Sequence, residues 1–470
     1  MVTRIRPAIM KGTRDFLPQR MRLRQWVIGV IRQVFERYGF EPLETPAIEL
    51  AETLRGKYGE EADQLVYYFT DRGGRELGLR YDLTVPLARV VAMYPELPRP
   101  FKRYQMQPVW RADRPRKGRY REFWQCDVDT VGAATMLADA EIVAVIDEVL
   151  SRLGFSRYTI RLNDRKLLTG LAQYAGVPPQ DAPDVFRAID KLDKIGLAGV
   201  RGELLTRIPP ELQAARTLAA EEKPEAPERV PFLAEPTADR ILDLIAIRGP
   251  ADETLAALGA RLAGVPSAAE GIAELTELVG YLRELGVPDD RYQVDLALAR
   301  GLDYYTGPIF ETEVEQEAAA GRVGSVTGGG RYDQLIGLFT DRSLPATGTT
   351  IGLERIIDVI EELGLAPAAA RRSVTAVLVT VFNRDLLGES LRLVRDLRAA
   401  GLNAEVALAL DSLGSQLRYA SRKGVPFAVI LGPEEARGGQ VVLRNLEDGS
   451  QETLPRASLV ERLQGQLRSP

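Results

Sequence analysis

The last hundred residues of the chain alternate between short apolar runs and amphipathic segments, and this alternation restricts the fold more than any other sequence feature. The predicted strands are 374–382, 403–408, 425–431 and 440–446, and the predicted helices are 385–400, 413–423 and 457–468. Strands that alternate with helices at this spacing are typical of a small α/β domain. We therefore predict a separate C-terminal domain over 374–470, which a linker at 366–373 connects to the rest.

The preceding 365 residues have a different character. A chain of 470 residues usually forms about three domains. Residues 101–112 and 120–131 read as two β-rich arms joined by a polar turn. Between 170 and 268 the sequence changes to Ala/Leu-rich helical pieces broken by proline. The composition therefore predicts that 170–268 is a helical segment of different character from 1–169 and 269–365.

The composition restricts the chemistry. The chain has no histidine, which excludes Ser/His/Asp and Cys/His nucleophile systems and zinc sites of the H-E-x-x-H type. Its one cysteine, Cys126, excludes an internal disulfide and any thiolate metal cluster, so we expect a cytoplasmic protein without a metal site built from its own side chains. We expect no membrane association, because no apolar run approaches the roughly 18 residues that span a bilayer.

Basic residues are concentrated in one part of an otherwise acidic chain of net charge −5. Nine arginines and lysines lie between Arg99 and Arg121, with Asp113 as the one acidic residue in that span and with aromatic residues interleaved. Guanidinium groups bind phosphate through two parallel hydrogen bonds. The segment therefore predicts an anion site, although a solvated charged hairpin is the alternative.

Several motifs carry a resemblance to one family. Residues 109–129 (VWRADRPRKGRYREFWQCDVD) and 352–355 (GLER) look like motifs 2 and 3 of class II aminoacyl-tRNA synthetases, and 44–49 (ETPAIE) resembles motif 1. Residues 299–311 (ARGLDYYTGPIFE) and 328–333 (GGGRYD) resemble the two signature stretches of the histidyl-tRNA synthetase family.

The resemblance implies an α+β catalytic domain, in which helices flank an antiparallel sheet. It also implies a helical insertion and a C-terminal α/β anticodon-binding domain. The expected reaction joins L-histidine to ATP as histidyl-adenylate, releases pyrophosphate, and then transfers histidine to the 3′ end of histidine tRNA. Motif 1 implies a homodimer.

The resemblance also assigns roles to individual residues. Arg111, Arg300 and Arg355 are the expected catalytic residues and, with Phe123, the ATP-binding residues. Mg²⁺ is expected to bridge the ATP phosphates. The charged loop at Arg116, Lys117 and Arg119 is expected to meet tRNA.

A second set of residues is expected to bind histidine. The α-ammonium group is assigned to Asp82, Thr84 and Gln125, and the imidazole ring to Asp129, Tyr304 and Tyr305. Many bacterial members carry glutamates where this chain has Asp82 and Asp129. Because the aspartate side chain is shorter, the residues around Asp82 and Asp129 must be slightly repositioned in this chain.

Three alternatives remain open from the sequence. One is a histidine-sensing regulatory subunit of ATP phosphoribosyltransferase, a paralogue that lacks the C-terminal domain. The second is another class II synthetase of the same subclass, for threonine, proline, glycine or serine. The third is a tRNA-sensing module without synthetase activity.

Overall fold

The structure is a computed structural model that describes residues 5–57, 63–116, 118–209, 229–299, 304–315, 324–367, 370 and 373–468. Contacts divide the chain into two compact units. The first comprises the described residues within Met1–Asp15 and Arg24–Leu365, and the second those within Phe16–Leu23 and Ala366–Pro470.

The strands, numbered along the described chain, are β1 (Glu41–Pro42), β2 (Ile48–Leu50), β3 (Tyr68–Thr70), β4 (Glu76–Leu79), β5 (Phe101–Trp110), β6 (Glu122–Val131), β7 (Tyr158–Asp164), β8 (Thr206–Arg207), β9 (Val230–Pro231), β10 (Tyr292–Val294), β11 (Pro308–Val314), β12 (Thr327–Arg331), β13 (Ala346–Gly352), β14 (Val377–Val379), β15 (Ala404–Val406), β16 (Phe427–Ile430), β17 (Gln440–Asn445) and β18 (Gln451–Pro455).

The α-helices, numbered in the same way, are α1 (Pro18–Arg37), α2 (Ala51–Leu54), α3 (Thr84–Met93), α4 (Met136–Arg152), α5 (Arg165–Ala175), α6 (Ala182–Ile189), α7 (Leu192–Leu205), α8 (Glu235–Ile245), α9 (Ala251–Arg261), α10 (Pro266–Glu284), α11 (Leu353–Leu363), α12 (Leu387–Ala399), α13 (Leu413–Lys423), α14 (Pro433–Gly438) and α15 (Leu459–Arg468). None of these helices combines the length and the apolar character needed to cross a bilayer.

A large sheet forms the centre of the first unit. Its described strands follow the order β1–β5–β6–β13–β12–β11–β7–β10. The two outermost pairs are parallel, and all pairs between them are antiparallel. This mainly antiparallel sheet confirms the predicted α+β class and the two β-rich arms, which are β5 and β6.

The helices that pack on this sheet have apolar buried faces and well-defined termini. The Thr135 side chain accepts a hydrogen bond from the Leu137 amide at the start of α4. Asp164 caps α5 in the same way, and α5 ends at Gly176, whose φ of 77° is in the left-handed region. The long helix α10 then packs against α4 and α5.

One local prediction was wrong. The sequence pattern predicts strands at 292–314 and 322–327 followed by a glycine-dense turn, but Thr327–Arg331 is strand β12, paired on both sides with β11 and β13. Glycine usually weakens a strand unless a neighbouring group approaches closely. Here a Cβ atom on Gly329 would lie 2.2 Å from the Gly348 carbonyl oxygen, so only glycine fits.

The predicted motif 1 leads into a smaller sheet with the order β2–β4–β3, whose strand β2 includes the last two residues of the motif. The buried Arg80 guanidinium holds the segment that leads into this sheet. It donates to the Thr45 carbonyl at 2.6 Å and to Gln107 Oε1 at 2.8 Å. Ile48, Leu50 and Phe69 of this sheet are between 41% and 46% exposed. The sheet therefore carries apolar side chains that the described residues leave partly uncovered.

The second unit has the predicted alternation of strands and helices. Its five-stranded sheet has the order β15–β14–β16–β17–β18, parallel in the first three strands and antiparallel in the rest. Valines and leucines of β14, β16, β17, α12 and α15 form its core. The sequence prediction missed α14 and β18.

Candidate functional site

A cavity of about 620 Å³ lies in the first unit. Strands β6, β11, β12 and β13, the loop between β5 and β6, and the start of α11 supply most of its lining. Two groups of side chains differ in character. The acidic floor consists of Asp82, Asp127, Asp129, Tyr304, Tyr305 and Tyr332, and the basic wall consists of Arg111, Arg116, Arg119 and Arg355.

Strand β6 supplies much of the floor through its two-residue repeat. Gln125, Asp127 and Asp129 are separated by single residues, so they lie on the same face, and all three line the cavity. Gln125 Nε2 donates to Thr350 Oγ1 at 3.1 Å, and that hydroxyl donates to Asp127 Oδ1 at 2.6 Å. The three side chains are each at most 6% exposed. The floor is therefore polar and almost dry.

A fully buried arginine balances the charge of the floor. Arg103 Nη2 lies 2.8 Å from Asp129 Oδ2, and the other Asp129 oxygen accepts a hydrogen bond from the Tyr332 hydroxyl. Arg103 also donates to the Leu83 carbonyl at 3.2 Å. Because a buried carboxylate is costly without a partner, this pair favours the charged form of Asp129 below the cavity.

Burial changes the acidity of both β6 carboxyl groups. Desolvation raises the pKa of Asp127 to about 8, against the attraction of Arg103 and with added repulsion from Asp129. Burial also raises the pKa of Asp129, while Arg103 and the Tyr332 hydroxyl oppose the shift. Arg103 contacts Asp129 directly and favours its charged form, while a pKa of about 8 leaves Asp127 holding a proton near neutral pH.

Three tyrosines surround these carboxyl groups. The rings of Tyr304 and Tyr305 meet edge to face with centroids 5.0 Å apart, and the rings of Tyr304 and Tyr332 are 5.8 Å apart. Burial raises the pKa of each of the three phenols, so all are hydrogen-bond donors at neutral pH. Asp82 is also buried, and its Oδ1 accepts from the Val85 amide at 3.2 Å.

Glycines of two strands give these groups their room. A Cβ atom on Gly348 would lie 2.0 Å from Asp129 Oδ1, and one on Gly330 would lie 3.0 Å from the Tyr305 ring. Any side chain at Gly348 would displace the Asp129 carboxylate. Gly330 of the GGGRYD stretch and Gly348 of the neighbouring strand therefore both allow close packing at the floor.

The basic wall is held by rings and main-chain carbonyls. Arg111 lies over Tyr81 and Phe123, with its guanidinium carbon 4.1 Å and 5.1 Å from the two ring centroids, and its Nε donates to the Tyr81 carbonyl at 3.1 Å. Arg355 donates to the Gly118 carbonyl at 3.2 Å and to the Ser325 carbonyl at 2.6 Å. These contacts fix the direction of both guanidinium groups.

The buried Glu354 side chain connects the strand of the floor to the helix of the wall. Arg24 Nη1 donates to Glu354 Oε1 at 2.7 Å, and Glu354 Oε2 accepts the Trp124 amide at 3.0 Å. Glu354 precedes Arg355 at the start of α11, and Trp124 precedes Gln125 on β6. This side chain therefore sets the position of these two predicted site residues relative to each other.

The loop between β5 and β6 closes through reciprocal main-chain hydrogen bonds between Arg116 and Arg119. Arg119 Nε also donates to Asp113 Oδ2 at 2.9 Å. The Arg116 side chain is exposed and forms no hydrogen bond or ion pair with the residues that the structure describes. Lys117, the third residue predicted to meet tRNA, lies outside the described residues.

The cavity brings together nearly all of the predicted site residues. Those that line it are Asp82, Thr84, Arg111, Arg116, Arg119, Phe123, Gln125, Asp129, Tyr304, Tyr305 and Arg355. Arg300 lies outside the described residues, so its predicted role stays a prediction.

Four of the residues of the site region that the sequence analysis missed are instructive. Asp127 was detectable, because it lies between Gln125 and Asp129 on the same strand face. Tyr332 belongs to the quoted GGGRYD stretch, yet it was given no role. Arg103 and Lys194 carried no distinguishing signal, since their importance depends on packing between distant segments.

Comparisons with known proteins identify relatives along the whole chain. Residues 12–356 match the family model described as histidyl-tRNA synthetase, and residues 376–466 match that of an anticodon binding domain. Histidine–tRNA ligase of Gloeobacter violaceus is 44% identical, covering 98% of this chain and 99% of the relative.

Two further matches agree with this assignment. Histidine–tRNA ligase of Aeropyrum pernix is 42% identical over 99% of both chains. The crystal structure of histidyl-tRNA synthetase from a Nostoc species is similar with a TM-score of 0.82 at 32% identity, over 98% of this chain and all of that one.

Proposed function

Because this chain belongs to the histidyl-tRNA synthetase family, we propose that its cavity activates L-histidine with ATP and that the same site then charges histidine tRNA. The supporting observation is that a buried acidic floor and an arginine-rich wall meet in a single cavity. The floor has the chemistry to bind a cationic or hydrogen-bonding amino acid, and the wall has the chemistry to bind phosphates.

The first step needs no general base. The histidine carboxylate attacks the α-phosphorus of ATP, a new P–O bond forms, and the bond to the β-phosphate oxygen breaks to release pyrophosphate. The enzyme accelerates this step by positioning the groups and by stabilising negative charge on the transferring oxygens. Arg111 holds the α-phosphate and the amino-acid carboxylate, Arg355 holds the γ-phosphate, and Phe123 stacks on adenine.

The floor selects the amino acid. Asp129 and Tyr305 engage the two nitrogens of the imidazole ring, with Tyr304 beside them, and Asp82, Thr84 and Gln125 bind the α-ammonium group. An analogue that lacks one ring nitrogen leaves a buried polar group without a partner, a loss that reaches about 10⁴-fold in favourable sites.

In the second step, a ribose hydroxyl at the 3′ end of tRNA attacks the carbonyl carbon of histidyl-adenylate. The new ester bond forms as AMP leaves, and a phosphate oxygen of the adenylate takes the hydroxyl proton. We propose that the segment between β5 and β6 meets the acceptor end through Arg116, Lys117 and Arg119. Residues 374–470 form the proposed anticodon-binding domain. The proposed boundaries of the other parts are 1–169 with 269–365 for the catalytic core, 170–268 for the insertion and 366–373 for the linker.

Mg²⁺ fits this site through the phosphates more than through the protein. No group of three or more acidic or thiol side chains suited to a metal occurs among the described residues. Glu311 lines the cavity and accepts a hydrogen bond from the Ser325 hydroxyl. Its carboxylate is the kind of oxygen ligand that would hold hydrated Mg²⁺. Bound Mg²⁺ would neutralise charge on the ATP phosphates.

A homodimer is supported by the partly uncovered sheet that contains β2. Ile48 and Leu50 are 46% exposed and lie on one face of that strand, together with Phe69 of β3. Light scattering of an Ile48→Asp, Leu50→Asp variant should show a monomer. A variant with Leu285→Asp, at an exposed apolar position after α10, should keep the wild-type mass.

The deciding experiment is ATP–pyrophosphate exchange with each of the twenty amino acids in the absence of tRNA. We expect exchange with histidine alone. Exchange with threonine, proline, glycine or serine would instead indicate another synthetase of the same subclass. No exchange from folded protein would contradict adenylate formation and favour a histidine-sensing role.

A further inference from the structure

Two residues that line the cavity come from the predicted insertion rather than from the predicted catalytic core. Asp190 and Lys194 lie between the end of α6 and the first turn of α7, inside the segment predicted as a helical insertion. The insertion therefore contributes charged groups to the substrate cavity.

An ion pair anchors this part of the insertion to the main sheet. Asp193 Oδ2 accepts from Arg161 Nη1 of β7 at 2.7 Å, and the same guanidinium binds the buried Asp295 at 2.7 Å. Gly196, with φ of 67° and ψ of 174°, interrupts α7 two residues after Lys194. The turn that carries Lys194 is therefore tied to β7 and separated from the remainder of its helix.

The Lys194 ammonium group has no committed partner. It forms no hydrogen bond or ion pair with any residue that the structure describes, whereas Lys191, on the same segment, donates to Glu203 at 3.0 Å. Most cations of the basic wall are already engaged, since Arg119 binds Asp113 and Arg355 binds two carbonyls. Lys194 thus offers a positive charge to whatever fills the cavity.

We propose that Lys194 contacts a phosphate group of a nucleotide substrate and thereby makes the insertion a functional part of the active site. An ammonium group on a flexible stem binds phosphate as a point charge and can follow it between two positions. The phosphate belongs either to ATP or to the 3′-terminal nucleotides of tRNA, because both enter this cavity in the proposed reaction. The inference rests on that proposed function.

The test compares Lys194→Ala, Lys194→Arg and the matched control Lys191→Ala in two assays. Pyrophosphate exchange without tRNA gives KM for ATP, and aminoacylation at saturating ATP gives KM for tRNA. Loss of a charge-assisted hydrogen bond corresponds to about a tenfold change or more. We expect Lys194→Ala to raise KM for ATP if the contact is to ATP, or KM for tRNA alone if it is to tRNA. Lys194→Arg should restore most of the loss.

Two results would overturn the inference alone. One is a Lys194→Ala variant with both KM values within twofold of wild type, and the other is an equal rise in Lys191→Ala, which would indicate a general charge effect. A wild-type chain without histidine-dependent exchange would overturn the proposed function, and this inference with it. Because Lys194 is exposed, urea denaturation should show the wild-type midpoint for both Lys194 variants.

Discussion

The acidic floor and the basic wall are built in opposite ways although they share one cavity. Floor carboxyl groups such as Asp127 and Asp129 are at most 2% exposed, and their partners are other side chains. Arg116 and Arg119 of the wall are exposed, and Arg355 is held by main-chain carbonyls. In the proposed function, this difference means that amino-acid selection uses fixed, desolvated groups, whereas phosphate binding tolerates solvent.

The largest effect on the acidic floor is expected when its buried cation, Arg103, is removed. Arg103→Met leaves Asp129 buried beside only the Tyr332 hydroxyl, and breaking a buried pair from one side costs about 3–5 kcal/mol. We expect the free energy of unfolding, measured with urea, to fall by about that amount and histidine-dependent exchange to be lost.

Arg89→Met is the matched control, because Arg89 forms a two-pronged pair with Glu49 away from the cavity and is more exposed than Arg103. Arg89→Met should lower the free energy of unfolding clearly less than Arg103→Met does, and it should leave KM for histidine unchanged. Equal losses of unfolding free energy for the two variants would contradict the special role of Arg103.

A smaller but more selective change is Gly348→Ala. The new methyl group would lie 2.0 Å from Asp129 Oδ1, so the carboxylate must move. Overpacking of this kind costs about 1–3 kcal/mol of the free energy of unfolding. The displaced carboxylate should separately lower kcat/KM for histidine, by about a hundredfold if it forfeits about 2.7 kcal/mol of transition-state binding. KM for ATP should change little, because the wall is untouched. Gly280→Ala, at an open helical position, should behave as wild type; a matching rise in both KM values for Gly348→Ala would contradict the separation of floor from wall.

The pKa of Asp127 gives the floor a pH signature. Burial raises that pKa to about 8, so between about pH 4 and 8 the folded state keeps a proton that the unfolded state has lost. The contribution of Asp127 therefore lowers the free energy of unfolding as pH rises, by at most about 1.4 kcal/mol per pH unit.

Asp127→Asn should remove this contribution. Thermal denaturation between pH 5 and 8 should show that the free energy of unfolding of the variant falls less, or rises more, with pH than that of the wild type. The comparison is between the two curves of free energy against pH. Parallel curves would show that Asp127 is ionised in the folded protein.

These contrasts also explain what the sequence could and could not reveal. Residues such as Arg111 and Tyr305 were found because they sit in recognisable motifs, and Asp127 could have been found from the two-residue repeat of β6. Arg103 could not, since an arginine in a basic segment looks like surface until the fold buries it against Asp129. The glycines of β12 were misread as a turn because sequence alone does not show how closely Gly348 approaches them.

The smallest expected effect distinguishes two arginines within the wall. Each phosphate that a cation neutralises releases counterions, so the logarithm of tRNA affinity falls with the logarithm of salt concentration, by about 0.7–0.9 per contact. Arg116 has no partner among the described residues, whereas Arg119 is committed to Asp113 at 2.9 Å. Arg116→Ala should therefore reduce the slope by nearly one contact, and Arg119→Ala by less, because Arg119 must first leave its carboxylate. Filter binding of tRNA from 50 to 300 mM salt, about a sixfold range, measures both slopes; a larger change for Arg119→Ala would mean that the Asp113 pair opens when tRNA binds.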